Sequence, residues 1–286
     1  MINQEVRRSA NQEADDVRWA VMRELNLTVF DWSGYRPRVA VMLDERCESE
    51  LEREIRLSLV WGSTGRTRPR SWSRLSPDPN GCTFSHGTLS GTTVCVLRNY
   101  LHLTDGAPHE LMRDQVRLQV EMLFSLGVES LIVVNEVEPV EGVGLLPGQV
   151  VVVDGFCALF APDMPLYFGE SCNPEAALLR HGDLARSVVE RVTGRQCTGG
   201  HVMVRGPLGK YDKALLRATG ASVVGTSMLP EASIAALHEI PMIGLGIVKN
   251  IADGTRSDEE SQRHAKEGES DLEDVLIALI EAVTKG

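Results

Sequence analysis

The chain has 286 residues, 43% of them apolar, with a formal net charge of −11. That acidic balance excludes the basic face of a nucleic-acid binder, and no apolar run is long enough to span a membrane. The length suits one large α/β domain or two small ones, with enough apolar residues for a full core.

Residues 3 to 27 read as a polar, amphipathic helix inside an N-terminal helical segment, 1–36, that has no signal-peptide core. The first core strand is expected at Arg38 to Leu43, followed by Asp44-Glu45-Arg46-Cys47-Glu48 and a charged helix from Ser49 to about Leu59. Residues 62–80 carry Arg66, Arg68, Arg70 and Arg74 among Ser, Pro and Gly, the composition of a solvated loop. A turn at Gly91-Thr92 leads into a strand, Thr93 to Leu97, and then to Asn99-Tyr100-Leu101-His102. Glu110 to Leu126 has helical period and stops at Gly127. Leu131 to Val134 reads as a buried parallel strand ending in Asn135-Glu136-Val137-Glu138, and Gln149 to Val153 as another strand. An irregular stretch, 161 to 175, leads into a helix from about Pro174 to Thr193.

The stretch from Gly199 to Glu231 then alternates strand, helix, strand, helix. An apolar run ends at Gly206-Pro207, and a short helix (Lys213 to Thr219) stops at Gly220. A second apolar run meets Gly225-Thr226-Ser227, and a new helix opens with Pro230 and Glu231. Ligands in α/β proteins bind at the carboxyl ends of strands, and free N–H groups at a helix start favour anions. A last strand, Met242 to Val248, ends at Lys249-Asn250. Residues 253–286 form an acidic segment closed by an amphipathic helix, Leu272 to Val283. The alternation predicts a single α/β domain over 1–286, with a central mixed sheet flanked by helices. The six cysteines show no CxxC pair and no metal spacing, so a reduced, cytoplasmic protein without structural metal is expected.

In this order and spacing the segments resemble the purine nucleoside phosphorylase and methylthioadenosine phosphorylase family, in its trimeric branch. Gly220-Ala221-Ser222-Val223-Val224-Gly225-Thr226-Ser227-Met228-Leu229-Pro230-Glu231 resembles the family's Gly-Ala-Asp-x-Val-Gly-Met-Ser-Thr-x-Pro-Glu. Arg205-Gly206-Pro207-Leu208-Gly209-Lys210-Tyr211 stands for its Ala-Gly-Pro-x-Phe-Glu-Thr, and Val248-Lys249-Asn250 for a strand ending in Thr-Asn. The resemblance implies a nucleoside-phosphorylase-like fold and cleavage of the N-glycosidic bond of a purine nucleoside. It also implies no cofactor, phosphate as co-substrate, and a homotrimer or a mixed oligomer with an intact paralogue.

The same resemblance locates the site, and several family residues are exchanged. Asp44, Glu45 and Arg46 stand in the glycine-rich phosphate loop, where carboxylates repel phosphate and side chains block close backbone approach. Tyr100 replaces the phosphate-binding arginine, while His102 keeps the histidine of that motif. Asn135 and Glu136 stand for an Asn-Ala pair whose backbone amide meets phosphate, and Ser227 keeps a hydroxyl contact. Asn250 matches the asparagine that bonds the purine, Lys210 replaces the base-binding glutamate, Thr226 replaces a methionine under the sugar, and His264 matches a histidine near the 5′-hydroxyl. His102, Asn250 and Glu136 are the catalytic candidates; Tyr100, Asn135, Lys210, Thr226, Ser227 and His264 are the substrate-binding ones. Two functions fit: an N-ribosyl-cleaving enzyme with altered specificity or with water as nucleophile, for which Glu136 or Asp44 is a general base, and a catalytically silent nucleoside-binding homologue.

Overall fold

A computed structural model describes residues 36–44, 56–61, 83–98, 100–103, 109–158, 164–166, 169–204, 210–249 and 258–285. The predicted helix at 3–27 and loop at 62–80 lie outside these residues. The strands are β1 (Val39–Leu43), β2 (Arg56–Trp61), β3 (Thr83–Leu89), β4 (Thr92–Arg98), β5 (Ser130–Pro139), β6 (Val150–Cys157), β7 (Thr198–Met203), β8 (Val223–Gly225) and β9 (Met242–Val248). The helices are α1 (His109–Ser125), α2 (Glu175–Leu179), α3 (Gly182–Thr193), α4 (Lys210–Thr219), α5 (Leu229–Leu237) and α6 (Asp258–Lys285).

The strands form one mixed sheet in the order β2-β3-β4-β1-β5-β8-β7-β6-β9. Every residue of β1 is buried, as a strand covered on both faces requires. It runs parallel to both β4 and β5. Alternation along the strands sorts the core into two layers. Ala40, Met42, Leu97, Leu131 and Val133 pack on α1 and α5 through Val120, Leu123, Ala232 and Ile234. Val39, Val41, Leu43, Val96, Ile132 and Val134 pack on α3 and α6 through Val188, Val189, Leu272, Leu276 and Ile280.

The second half of the sheet closes on itself. From Leu131 to Val137 β5 pairs with β9, and at Glu138 and Pro139 it pairs with β8. Since β8, β7, β6 and β9 are neighbours in turn, these five strands make a ring. Val137, Val151, Val223 and Val248 pack together within it.

Three expectations change. The helix expected to run to Leu59 is instead strand from Arg56, paired antiparallel with β3. Leu57, Leu59 and Trp61 alternate with the period of a strand, a pattern that the charged residues before it obscure. The helix expected from Pro174 to Thr193 is two helices, α2 and α3. His181 leaves helical geometry between them (φ −117, ψ 5) and its Nε2 lies 3.2 Å from Ser130 Oγ. The acidic segment is not separate from the closing helix, because α6 starts at Asp258. Among the described residues no helix is long and apolar enough to cross a membrane.

Candidate active site

The carboxyl ends of β1, β4 and β5 converge with the turn between β8 and α5. Asp44 follows β1, and its backbone N–H continues the ladder by donating to the Val134 carbonyl at 3.1 Å. That register sets the Asp44 side chain against Asn135 of β5, whose Nδ2 donates to Asp44 Oδ2 at 2.8 Å. His102 approaches the same oxygen, with Nε2 at 3.8 Å. Asp44 is 7% exposed and Asn135 fully buried, so this contact is shielded from water.

Tyr100 and His102 leave β4 on an irregular segment that α1 holds in place. Gln119, buried in α1, receives the Leu101 N–H at 2.9 Å and donates to the Leu101 carbonyl at 2.7 Å. Both backbone polar groups of Leu101 are thereby satisfied, as burial demands. The Tyr100 and His102 rings lie 4.5 Å apart between centroids. Farther along α1, buried Arg117 binds Glu121 at 2.9 Å and both oxygens of Glu170, tying the residues around 165–170 to the same helix.

From the other side comes the turn Gly225-Thr226-Ser227-Met228. Met228 has positive φ (81°) at the cap of α5, an unusual conformation for a side chain of this size. Its N–H donates to Glu231 Oε2 at 2.7 Å, the backward half of a capping box. Ser227 donates to the same oxygen at 3.2 Å, and the Tyr100 phenol lies 3.1 Å from Ser227 Oγ. The serine has one proton and it points at Glu231, so the phenol is the donor to the serine. Glu231 is fully buried, and desolvation pushes its carboxyl above the ordinary range, with His102 and the bonds from Met228 and Ser227 opposing that shift.

The structure thus brings together Asp44, Tyr100, His102, Asn135 and Ser227 from four places in the chain. Thr226 sits beside them, half-buried, between Gly225 and Ser227. Glu136 does not join them. Strand alternation, with unbroken register against β9, turns it to the face of β5 opposite Asn135. Lys210 starts α4 and His264 lies within α6, described through their backbones alone. Glu45, Arg46 and Asn250 lie outside the described residues.

Sequence reading missed Glu231 and Gln119. The spacing of Ser227-Met228 before Glu231 is a capping signature. Gln119, at helical spacing among Val116, Val120 and Leu123, is a lone polar residue on an apolar stripe. No cluster of His, Cys, Asp and Glu among the described residues could hold a metal ion.

Chemically the assembly sets the Asp44 carboxyl between an amide and an imidazole. A carboxylate fixed inside it costs a bound anion about 4 kcal/mol at 4 Å and an effective dielectric of about 20. That equals the whole free energy of millimolar binding, about 4 kcal/mol. The tyrosine in the site donates to a neighbouring serine instead of offering a charge, and that serine has already committed its proton.

Comparison with known proteins agrees with this fold. The sequence profile of the Phosphorylase superfamily matches residues 71–281. Purine nucleoside phosphorylase 1 of Geobacillus stearothermophilus is 28% identical over 178 residues, 59% of this chain and 63% of that protein, so the match spans under two thirds of the relative's length. A Schistosoma purine nucleoside phosphorylase solved in complex with hypoxanthine superposes with a TM-score of 0.72 at 20% identity, covering 92% of this chain and 96% of that one. The Schistosoma mansoni enzyme in complex with inosine gives 0.72 at 20% identity, over 94% and 96% of the two chains. At such identities these two structures speak for the fold alone.

Proposed function

Since the chain belongs to the phosphorylase superfamily, we propose that it cleaves the N-glycosidic bond of a purine-type nucleoside with water as the nucleophile. One observation carries the reading: Asp44 is held by Asn135 at 2.8 Å, with His102 at 3.8 Å, in the part of the site where relatives are expected to bind phosphate. A carboxylate there supplies the negative charge that phosphate otherwise brings, and a base that hydrolysis needs. It opposes the positive charge that develops on the sugar, and it accepts a proton from an attacking water.

The step balances without a cofactor. Asp44 takes a proton from water as the water oxygen bonds C1′ of the sugar. The C1′–N9 bond breaks, its electron pair passes to the purine, the purine takes up a proton from solvent, and Asp44 then releases to solvent the proton it took from water. His102 orients Asp44 Oδ2, and Asn135 Nδ2 holds the same oxygen from the other side. The purine class is carried over from relatives solved with hypoxanthine and inosine. A homotrimer in the cytoplasm completes this reading, and light scattering of the purified chain tests the assembly.

A second reading is favoured by the closed chain Tyr100–Ser227–Glu231. With its hydroxyls bonded to each other, the site binds a nucleoside without turning it over, alone or beside an intact paralogue. Liberation of base from a panel of purine nucleosides, with and without phosphate, separates the two. Base release without phosphate supports hydrolysis. Release under neither condition removes the enzymatic reading and leaves the binding one.

A further inference from the structure

Next to the site, the ring of strands encloses a buried polar pair that the proposed chemistry does not use directly. His201 on β7 is fully buried, and neither of its ring nitrogens has a hydrogen-bond partner. Burial holds its imidazole down to about 4, so at neutral pH it is uncharged and carries a single N–H. Phe156 packs edge-on against the ring at 6.1 Å. Asn135, equally buried, spends Nδ2 on Asp44, while its Oδ1 has no partner.

Both unpartnered atoms press on one glycine. A Cβ built on Gly225 would meet His201 Nε2 at 2.6 Å and Asn135 Oδ1 at 2.9 Å. Only glycine leaves room for the two to approach. An unpartnered buried polar group is costly and calls for a reason, since a phenyl ring would fill the same volume without that cost.

We infer that His201 is a positioning residue: its N–H, buried on the Oδ1 side of Asn135, fixes that amide with Nδ2 towards Asp44. The two ends of a carboxamide differ electrically but hardly in shape, so packing alone does not choose between them. His201 Nε2 and Asn135 Oδ1 crowd the same glycine without a hydrogen bond between them, so what the imidazole adds to the pull of the Asp44 carboxylate on Nδ2 is a dipolar preference for the same orientation. The opposite one sets the amide oxygen against Asp44 and the amide nitrogen against the imidazole N–H. In this arrangement the ring interior steers the Asp44 carboxylate without touching substrate.

The test uses the full chain labelled with ¹⁵N, comparing wild type, His201→Phe, which keeps ring shape and loses the N–H, and His201→Gln, which restores an N–H. In the wild type, long-range ¹H–¹⁵N correlation is expected to show the Nε2–H tautomer of His201. In His201→Phe the Asn135 side-chain amide exchanges with solvent about tenfold faster while β5 and β7 backbone amides stay protected, and His201→Gln returns it towards wild type. An Nδ1–H tautomer, an unchanged Asn135 amide in His201→Phe, or a His201→Gln variant that behaves like the Phe one would overturn the inference. If His201→Phe does not fold, the wild-type tautomer and His201→Gln decide. The kinetic arm rests on the proposed hydrolysis: kcat for base release falls about tenfold in His201→Phe with KM unchanged. If no base is released at all, the hydrolytic reading fails while the spectroscopic arm still decides the role of His201.

Discussion

The phenol of Tyr100 lies 3.1 Å from Oγ of Ser227, and Ser227 in turn donates its only proton to Glu231. The relay runs one way, from phenol to hydroxyl to buried carboxylate. Tyr100→Phe removes the phenol that starts it. Loss of one neutral hydrogen bond predicts about 1 kcal/mol lower stability in urea unfolding, with Ser227 still bound to Glu231. Tyr100→Arg goes further by introducing a cation, yet Asp44 remains. Base release by that variant is therefore expected to stay independent of phosphate; phosphate stimulation from the arginine alone contradicts the role given to Asp44.

Gln119 grips both backbone polar groups of Leu101, between Tyr100 and His102. Gln119→Leu keeps the volume and leaves two buried backbone groups without partners. The cost is about 1–3 kcal/mol for each group, read as a lower denaturation midpoint. Because the segment carries His102, base release is expected to fall even where the variant is fully folded by circular dichroism.

Gly225→Ala puts a methyl group within 2.6 Å of His201 Nε2 and 2.9 Å of Asn135 Oδ1. Neither neighbour is the loose end of a flexible surface chain, so something in the ring must shift. Overpacking of this kind predicts a loss of about 1–3 kcal/mol. An unchanged urea midpoint would contradict the close approach.

Stability should fall on acidification through a window set by His201. Its folded value, about 4, lies below the ordinary 6.5 because burial disfavours the charged ring. The unfolded chain then binds more protons between these values, so the contribution is fully present above pH about 6.5 and is lost as pH falls towards 4. The size is about 3 kcal/mol at about 1.4 kcal/mol per unit. Burial lowers His86 and His181 in the same direction. Urea unfolding between neutral pH and pH about 4 measures the slope, and His201→Gln should flatten it.

Much of the fold was legible because its signals are local and repeated. Continuous apolar runs marked β1, β5 and β9, and the Gly-Thr-Ser turn before Pro230 and Glu231 marked the β8–α5 junction. What escaped was set by pairing between distant segments. The edge strand β2 shows itself only against β3, and the reach of β5 to Pro139 depends on β8. The site divides in the same way. Asp44, Tyr100, His102, Asn135 and Ser227 were named by resemblance and meet in space. Glu136 was named by the same resemblance and as a candidate general base, and strand alternation sends it to the face of β5 opposite Asn135. Glu231, Gln119 and His201 take their places only through contacts made by folding, and their residue types alone point to no such role.

The most direct measurement of the central claim is a calorimetric titration of the full chain with inorganic phosphate. With Asp44 in the proposed anion position, no saturable heat is expected up to on the order of 10 mM phosphate, because the carboxylate opposes about as much free energy as millimolar binding supplies. Saturable binding with a Kd near or below about 1 mM would contradict the account and return the site to ordinary phosphorolysis.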